Sequence, residues 1–295
     1  MEPRKPKLPI EAVQLYNEFI HGHISRRDFF EGAKKFAVGG LAAGTIIDLL
    51  MPDYAAAQQV SKTDARLKTS YETVQSPMGN GSIKGYLARP ASAGNNKLPA
   101  ILVIHENRGL NPHIEDIARR LATDNFVAFA PDALFPLGGY PGDEDKAREV
   151  FPKLDQAKTR EDFIAAFGCL KARPETNGKV GAVGFCYGGG MVNFLATRVP
   201  DLLAGVPFYG SSPNVDDVPK IKAALVIQSA EVDERINASW PAYETALKAA
   251  NVRFERHLYP GTQHGFNNDT TPRYDAAAAK LAWERTLAHF NTNLR

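Results

Sequence analysis

The segment Gly184-Phe185-Cys186-Tyr187-Gly188 follows an apolar run and precedes a stretch with helical spacing. A nucleophile between two glycines, where a buried strand meets a helix, is forced into a strained turn that exposes its side chain at the sheet edge. Gly189 and Gly190 let the helix approach the sheet and direct its N-terminal amides at the thiol. The pattern therefore predicts that Cys186 is an exposed nucleophile. The alternative is a buried structural cysteine in a Gly-rich turn.

Short apolar runs alternate with helical patterns from residue 71 to the C-terminus. The predicted strands are 71–74, 83–90, 100–105, 127–131, 179–185, 203–209, 224–228 and 253–258, and the predicted helices are 112–123, 161–171, 188–198, one starting near Ser239, and 273–290. The first two strands form a hairpin at the sheet edge. The Gly- and Pro-rich stretch 132–155 is expected to be irregular and to cover the pocket.

This alternation predicts an α/β fold of the α/β-hydrolase type: a doubly wound, mostly parallel sheet with helices on both faces. We assign residues 61–295 to a single catalytic domain and residues 1–60 to a signal or N-terminal arm. The length of 295 residues is compatible with that division.

Two polar residues follow the nucleophile in the order acid, then histidine, that an α/β-hydrolase triad requires. Asp233 lies just beyond the predicted strand 224–228, and Glu231 and Glu234 compete for its role. His264 lies in a predicted turn-forming loop beyond the strand that ends at Leu258. Each residue taken alone would be an ordinary loop residue, and their order is what suggests a triad.

The segments VGAVGFCYGGG, QSAEVDER and YPGTQHGF resemble the dienelactone hydrolase family, which includes carboxymethylenebutenolidase, from about residue 70 onward. The resemblance implies a Cys186-Asp233-His264 triad. It also implies that Glu106 holds the resting thiol and shifts when substrate binds. The oxyanion hole is expected to use the backbone N–H groups of Tyr187 and Asn107.

The resemblance is incomplete at the residues that determine substrate specificity. Family members that cleave dienelactones place an arginine shortly after the catalytic histidine, whereas this chain has Asn267 and Asn268 there. Arg108 and Arg148 are alternative candidates for binding an anionic substrate, although surface arginines are common. The sequence therefore supports hydrolysis more firmly than it supports a charged dienelactone as the substrate.

The resemblance implies a hydrolase of lactones or small esters that works through a thioester and needs no metal or organic cofactor. The alternatives are a thiol acyl-transferase or peptidase on the same scaffold, and a non-catalytic periplasmic binding protein. Cys169 and Cys186, the two cysteines, are expected to be free thiols, because the helix and strand that carry them separate them by more than about 7 Å.

The N-terminal segment has the order of features found in an export signal. Ser25-Arg26-Arg27-Asp28-Phe29-Phe30 is a twin-arginine motif, residues 36–50 are mostly apolar, and Ala55-Ala56-Ala57 suggests cleavage before Gln58. The apolar run is shorter than the ~20 residues that span a bilayer, so stable membrane insertion is not expected. The competing interpretation is an amphipathic surface helix with a chance Arg pair.

Residues 10–24 have helical apolar spacing at Val13, Tyr16 and Ile20, which is more structure than a signal needs. This stretch is expected to persist as a helical arm if cleavage is inefficient. The expected location is the periplasm or the exterior, by twin-arginine export, or the cytoplasm if the motif is fortuitous.

Charge and composition limit the possible partners. The net charge is only +2 and no basic stripe is interleaved with aromatic residues, which argues against nucleic-acid binding. The expected partners are a small lactone or ester and the twin-arginine export machinery. The sequence does not indicate an oligomeric state.

Overall fold

The computed structural model describes residues 8–20, 22–36, 43–55, 57–92, 94 and 96–295. Within them the strands are β1 (Leu67–Ser76), β2 (Gly81–Pro90), β3 (Leu98–Ile104), β4 (Val127–Pro131), β5 (Thr176–Phe185), β6 (Leu202–Phe208), β7 (Ala224–Val232) and β8 (Phe254–Gln263). The helices are α1 (Ile10–Ile20), α2 (Arg26–Lys34), α3 (Ala43–Leu50), α4 (Pro112–Thr123), α5 (Glu144–Val150), α6 (Gln156–Ala172), α7 (Tyr187–Arg198), α8 (Glu234–Asn237), α9 (Trp240–Ala249) and α10 (Ala276–Leu294).

These strands form one sheet in the order β1-β2-β4-β3-β5-β6-β7-β8. Strands β3 to β8 run parallel, while the hairpin of β1 and β2 joins the sheet through an antiparallel β2–β4 pair. The predicted mostly parallel sheet with an edge hairpin is therefore confirmed.

Both faces of the sheet are covered, as the continuous apolar run of β3 indicates. Leu102 and Ile104 pack into a cluster with residues of α6, α7 and α9, while Ile101 and Val103 pack into a second cluster with residues of α4 and α10. Successive side chains of a strand point to opposite faces, so one strand serves both clusters. The parallel strands then end together at one edge, where the site lies.

Two predicted element boundaries near the site are wrong. The segment 132–155 is not wholly irregular, because it contains α5, whose first turn is capped by Asp143 accepting the Lys146 N–H at 2.8 Å. Strand β8 does not end at Leu258 but continues to Gln263, which pairs with Val232 after an irregularity in the β7–β8 register. His264 therefore follows a strand directly, and Asp233 follows the neighbouring strand.

The last helix also begins later than expected. It starts at Ala276, because Asp275 caps it by accepting the Ala278 N–H at 2.9 Å. The predicted start at Arg273 is wrong, since that residue lies outside the helix and its side chain is buried against Gly265.

The described residues from 8 to 55, here called the N-terminal arm, contain α1, α2 and α3. Ser25 and Asp28 form a capping box at the start of α2, so the twin-arginine pair lies in a helix. Of the predicted signal features, residues 37–42 of the apolar run and Ala56 lie outside the described residues. In the part of the chain that the structure describes, no helix has the length and apolarity that crossing a membrane requires.

Candidate active site

Cys186 lies in the turn between β5 and α7 with φ 55° and ψ −110°. A non-glycine residue rarely adopts a positive φ, and such strain persists only where the surroundings fix it. Here the Cys186 N–H donates to the Phe208 carbonyl at 3.0 Å. The turn also needs glycine beside it: a Cβ on Gly188 would lie 2.2 Å from the Ile104 oxygen, and one on Gly189 would lie 2.5 Å from the Phe208 oxygen. The predicted strand–turn–helix elbow is present.

The acid and the histidine meet at the same edge of the sheet. His264 Nδ1 lies 2.6 Å from Asp233 Oδ2, and both residues are buried. The competing carboxylate Glu231 instead accepts the Gly261 N–H at 2.8 Å and is exposed. Asp233 is therefore the carboxylate that the fold pairs with His264.

The electrostatics of His264 depend on Cys186. Burial lowers the pKa of His264, but the charge of Cys186 and hydrogen bonds with Asp233 and Cys186 outweigh it and raise the pKa to about 9. The imidazole is therefore cationic at neutral pH, beside the sulfur. The geometry thus brings together Cys186, His264 and Asp233.

Glu106 follows β3 and is 8% exposed. Its Oε2 accepts a hydrogen bond from Asn268 Nδ2 at 2.8 Å. Asn268 stands where an arginine was expected from the family resemblance, and here its amide holds the Glu106 carboxylate.

The neighbouring His105 fixes the backbone of Glu106. Its Nε2 accepts the Ala133 N–H at 3.0 Å, so its Nδ1 carries the proton and donates to the Glu106 carbonyl. Burial lowers the pKa of His105, which is consistent with this neutral tautomer.

The two predicted oxyanion-hole residues flank the elbow. Tyr187 is the first residue of α7, where backbone N–H groups have no partner within the helix. Asn107 follows Glu106, and the contact of Gly188 with the Ile104 oxygen brings the ends of β3 and β5 together. The side-chain amide of Asn107 donates to the Ile20 carbonyl at 3.3 Å.

The two candidate arginines lie in different surroundings. Arg108 is buried, donates to the Ile20 carbonyl at 2.8 Å and lies 3.5 Å from Glu144. Arg148 stacks over the ring of Phe19, with its guanidinium carbon 4.4 Å from the ring centroid. Both arginines therefore contact the N-terminal arm.

Sequence reasoning missed two buried residues beside the catalytic candidates. Tyr209 has φ 37°, its ring centroid is 5.0 Å from that of His264, and its hydroxyl has no hydrogen-bond partner among the described residues. Burial raises the pKa of Tyr209 well above its ordinary value, so the hydroxyl remains protonated. Its position at the end of β6 was the available signal, because parallel strands deliver site residues from their carboxyl ends.

Arg273 is the second missed residue. Its guanidinium packs against Gly265, where an added Cβ would lie 2.6 Å from Cζ, and Nη1 donates to Asn17 at 3.2 Å. The sequence pattern assigns Arg273 to the final helix and therefore does not indicate a position in the site.

Cys169 and Cys186 are both free thiols, as predicted. Burial raises the pKa of the Cys169 thiol. Within the described residues, no group of three or more His, Cys, Asp or Glu side chains is arranged to hold a metal ion.

The doubly wound sheet and the elbow at the carboxyl end of β5 define the chain as an α/β-hydrolase. Residues 83–294 match the sequence profile of the dienelactone hydrolase family. The chain therefore belongs to the dienelactone hydrolase family and is a hydrolase.

Individual relatives agree with this assignment. A protein of Synechocystis named "Putative carboxymethylenebutenolidase" is 31% identical over 247 residues, covering 78% of this chain and 98% of that protein. An Escherichia coli protein named "Putative hydrolase fragment YghX" is 50% identical over 115 residues, 39% of this chain and 97% of the fragment. The crystal structure titled "Putative Dienelactone Hydrolase" from Klebsiella pneumoniae has a TM-score of 0.66 at 28% identity, covering 76% of this chain and 99% of that one.

Proposed function

We propose that the chain hydrolyses lactones or small esters through a thioester formed on Cys186. The observation that carries the proposal is the strained elbow of Cys186 beside the buried His264–Asp233 pair. The names of the relatives support a carboxymethylenebutenolidase-like reaction. No step of this mechanism needs a metal or organic cofactor.

In the first half-reaction the Cys186 thiolate attacks the carbonyl carbon, and the C=O electron pair moves onto oxygen. The N–H groups of Tyr187 and Asn107 stabilise that oxyanion. The intermediate collapses by breaking the C–O bond, and the leaving oxygen takes the proton of cationic His264. The products are a Cys186 thioester and an alcohol, which stays attached to the acyl group when the substrate is a lactone.

In the second half-reaction water attacks the thioester carbon, and neutral His264 accepts the proton of that water. Collapse breaks the C–S bond, which releases the acid and restores the thiolate beside cationic His264. Asp233 holds Nδ1 of the imidazole, so the ring keeps its orientation through both steps.

Neutral substrates fit this site better than a charged dienelactone. The amide of Asn268 bonds Glu106 at 2.8 Å, so it does not replace the expected arginine as an anion ligand. Arg108 lies 3.5 Å from Glu144, a carboxylate of the domain itself, so its charge is already paired. Activity across lactones, aryl esters and dienelactones measures this preference.

The mechanism predicts that an acyl group accumulates on Cys186 when an activated aryl ester is used. Rapid acid quench followed by peptide mass spectrometry should find the acyl mass on the peptide that contains Cys186. The peptide with Cys169 is the internal control, because burial raises the pKa of that thiol. Turnover with the acyl group on another residue would contradict the mechanism, and transfer to an added amine faster than to water would favour an acyl-transferase.

The segment Ser25–Phe30 is further proposed to direct twin-arginine export to the periplasm or the exterior. In the structure the side chains of Arg26 and Arg27 are exposed, and Arg26 forms an ion pair with Asp145. The order of basic pair, apolar run and small residues supports the proposal.

Replacing both Arg26 and Arg27 by Lys should leave the product uncleaved in the cytosol, because the charge is kept but the guanidinium pair is lost. Fractionation and the mass of the N-terminal peptide check this. The matched control replaces Lys34 and Lys35 by Arg, which should export normally. Export of the R26K/R27K variant at the control's rate would refute the signal assignment.

A further inference from the structure

Helix α1 of the N-terminal arm lies across the catalytic edge of the sheet. On one side, Asn17 and Glu18 line a groove together with Asp233 and His264. On the other side, Tyr16 and Ile20 line a small cavity, whose other walls include Glu106, Asn107 and Arg273. The helix therefore separates the His264 side of the site from the Glu106 side.

The arm uses hydrogen-bonding groups that a substrate would otherwise meet. The Ile20 carbonyl accepts from Arg108 at 2.8 Å and from Asn107 at 3.3 Å. The Asn17 side chain accepts from Arg273 at 3.2 Å and donates to Gln263, the residue before His264, at 3.1 Å. Arg108 and Arg273, two buried arginines of the domain, therefore donate hydrogen bonds to oxygen atoms of the arm.

A second part of the arm closes the far end of the cavity. Tyr54 donates to Glu144 and accepts from Asn111 Nδ2 at 3.0 Å. The Asp53 N–H donates to the Thr270 carbonyl at 2.8 Å. The arm therefore contacts both ends of the Glu106 side of the site.

Little space remains on the Glu106 side of the site while the arm is docked, whereas the groove on the His264 side measures about 550 Å³. The cavity beside Glu106 and Asn107 measures about 20 Å³. A single water needs about 10–15 Å³ measured in this way, whereas small-molecule pockets span about 300–1,000 Å³. Cys186 itself is partly exposed, but an acyl group has no room beside Glu106.

The arm packs around apolar residues of its own. Phe29 is fully buried and stacks on Phe19 at 4.5 Å between ring centroids, and both belong to a cluster made only of arm residues. By contrast, Asn17, Ile20, Asp53 and Tyr54 join the arm to the domain through hydrogen bonds. Undocking therefore leaves the two apolar clusters that cover the sheet intact, which is what a reversible plug requires.

We propose that the N-terminal arm is an intramolecular plug that occupies the acyl pocket of the Cys186 site. The acyl group of a substrate enters the Glu106 side only when the arm undocks or is removed. This inference rests on the proposed function, since it takes Cys186 as the nucleophile. If cleavage before Gln58 takes place, it would convert the closed precursor into the open enzyme.

The test compares the full-length chain with the N17A/F29A variant, whose two changes lie in the arm and outside the catalytic residues. N17A removes the hydrogen bonds to Gln263 and Arg273, and F29A removes the centre of the arm's apolar cluster. F30A is the matched control, because the ring of Phe30 is only partly buried on the same helix. Amide hydrogen exchange of residues 10–20 reports docking independently of activity.

Two thiol probes report access to Cys186, with its peptide resolved from that of Cys169 by mass spectrometry. In N17A/F29A, a bulky fluorescein maleimide should react about tenfold or more faster, and kcat/KM for an aryl ester should rise by a similar factor, because the open fraction grows. Iodoacetamide, which is small, should change less. F30A should behave as the unmodified chain does.

If hydrogen exchange in α1 rises while maleimide labelling and kcat/KM stay unchanged, the plug is refuted. Faster maleimide labelling without any ester hydrolysis would keep the plug and reject the proposed function. If the variant does not fold, or if its arm stays docked, two measurements on a chain without these changes decide the question. The plug is overturned if hydrogen exchange shows that α1 opens more slowly than the enzyme turns over an ester. The plug is supported if maleimide labelling rises after the chain is cut at a protease site inserted before Gln58.

Discussion

Replacing Cys186 by Ala is expected to reduce ester hydrolysis by about 10⁴-fold, because the proposed mechanism has no second nucleophile. The fold should survive, since the N–H of residue 186 keeps its bond to the Phe208 carbonyl and the change removes one sulfur atom. Steady-state kinetics on an aryl ester measures the loss, and circular dichroism and the urea midpoint measure folding.

Cys169→Ala is the matched control for this variant. It also removes a thiol, but from α6, where Cys169 packs against the cluster of α6, α7 and α9, and it should keep full activity. Cys186→Ser tests the nucleophile further: the hydroxyl occupies the same elbow but is not ionised near neutral pH, so residual activity should be low. Full turnover by Cys186→Ala would reject covalent catalysis at this position.

The elements that carry the site were predictable from local patterns. The glycines around Cys186 are required by close backbone contacts, such as that of Gly188 with the Ile104 oxygen, and a sequence shows such glycines directly. The apolar runs of the central strands indicate burial on both faces, which implies a parallel sheet with polar residues at its carboxyl edge. That edge holds Cys186, Asp233 and His264.

Contacts between segments distant in the sequence were not predictable. The place of Arg273 in the site was not predictable, because its hydrogen bond to Asn17 joins residues 256 positions apart. Tyr209 follows the apolar strand β6, and only the fold sets its ring against His264. The docking of α1 depends on the Ile20 carbonyl, a group that every residue type has and that therefore leaves no signal in the sequence.

The arm gives the helical spacing of residues 10–24 a structural explanation. Tyr16 and Ile20 are buried in the arm's own cluster and line the cavity beside Glu106. The same face of α1 therefore packs in the arm's apolar cluster and lines the cavity of the site. If the proposed plug and the proposed export signal are parts of one segment, the hydrolase stays closed until that segment undocks or is cleaved.

His264 is proposed to act as a cation beside the thiol and also as the acid and base of the reaction. Replacing it by Gln is expected to separate these two roles by their pH dependence. The pKa of about 9 makes His264 a cation at neutral pH, beside the Cys186 sulfur. A neighbouring cation makes a cysteine more reactive toward alkylating reagents. Iodoacetamide should therefore label Cys186 of H264Q more slowly at pH 6.5, and the difference between the two proteins should shrink as the pH rises through about 9, where the His264 cation is lost.

The rate of ester hydrolysis by H264Q should fall by a larger factor than the rate of iodoacetamide labelling. It should also stay low at high pH. Deprotonating the thiol does not restore the proton donor for the leaving oxygen or the base for water, which contribute about 10²–10⁴-fold. His257→Gln, on the same strand β8 and half-buried beside Glu255, is the control and should match the unmodified chain in both assays. Wild-type labelling of H264Q at pH 6.5 would show that the cation does not activate the thiol.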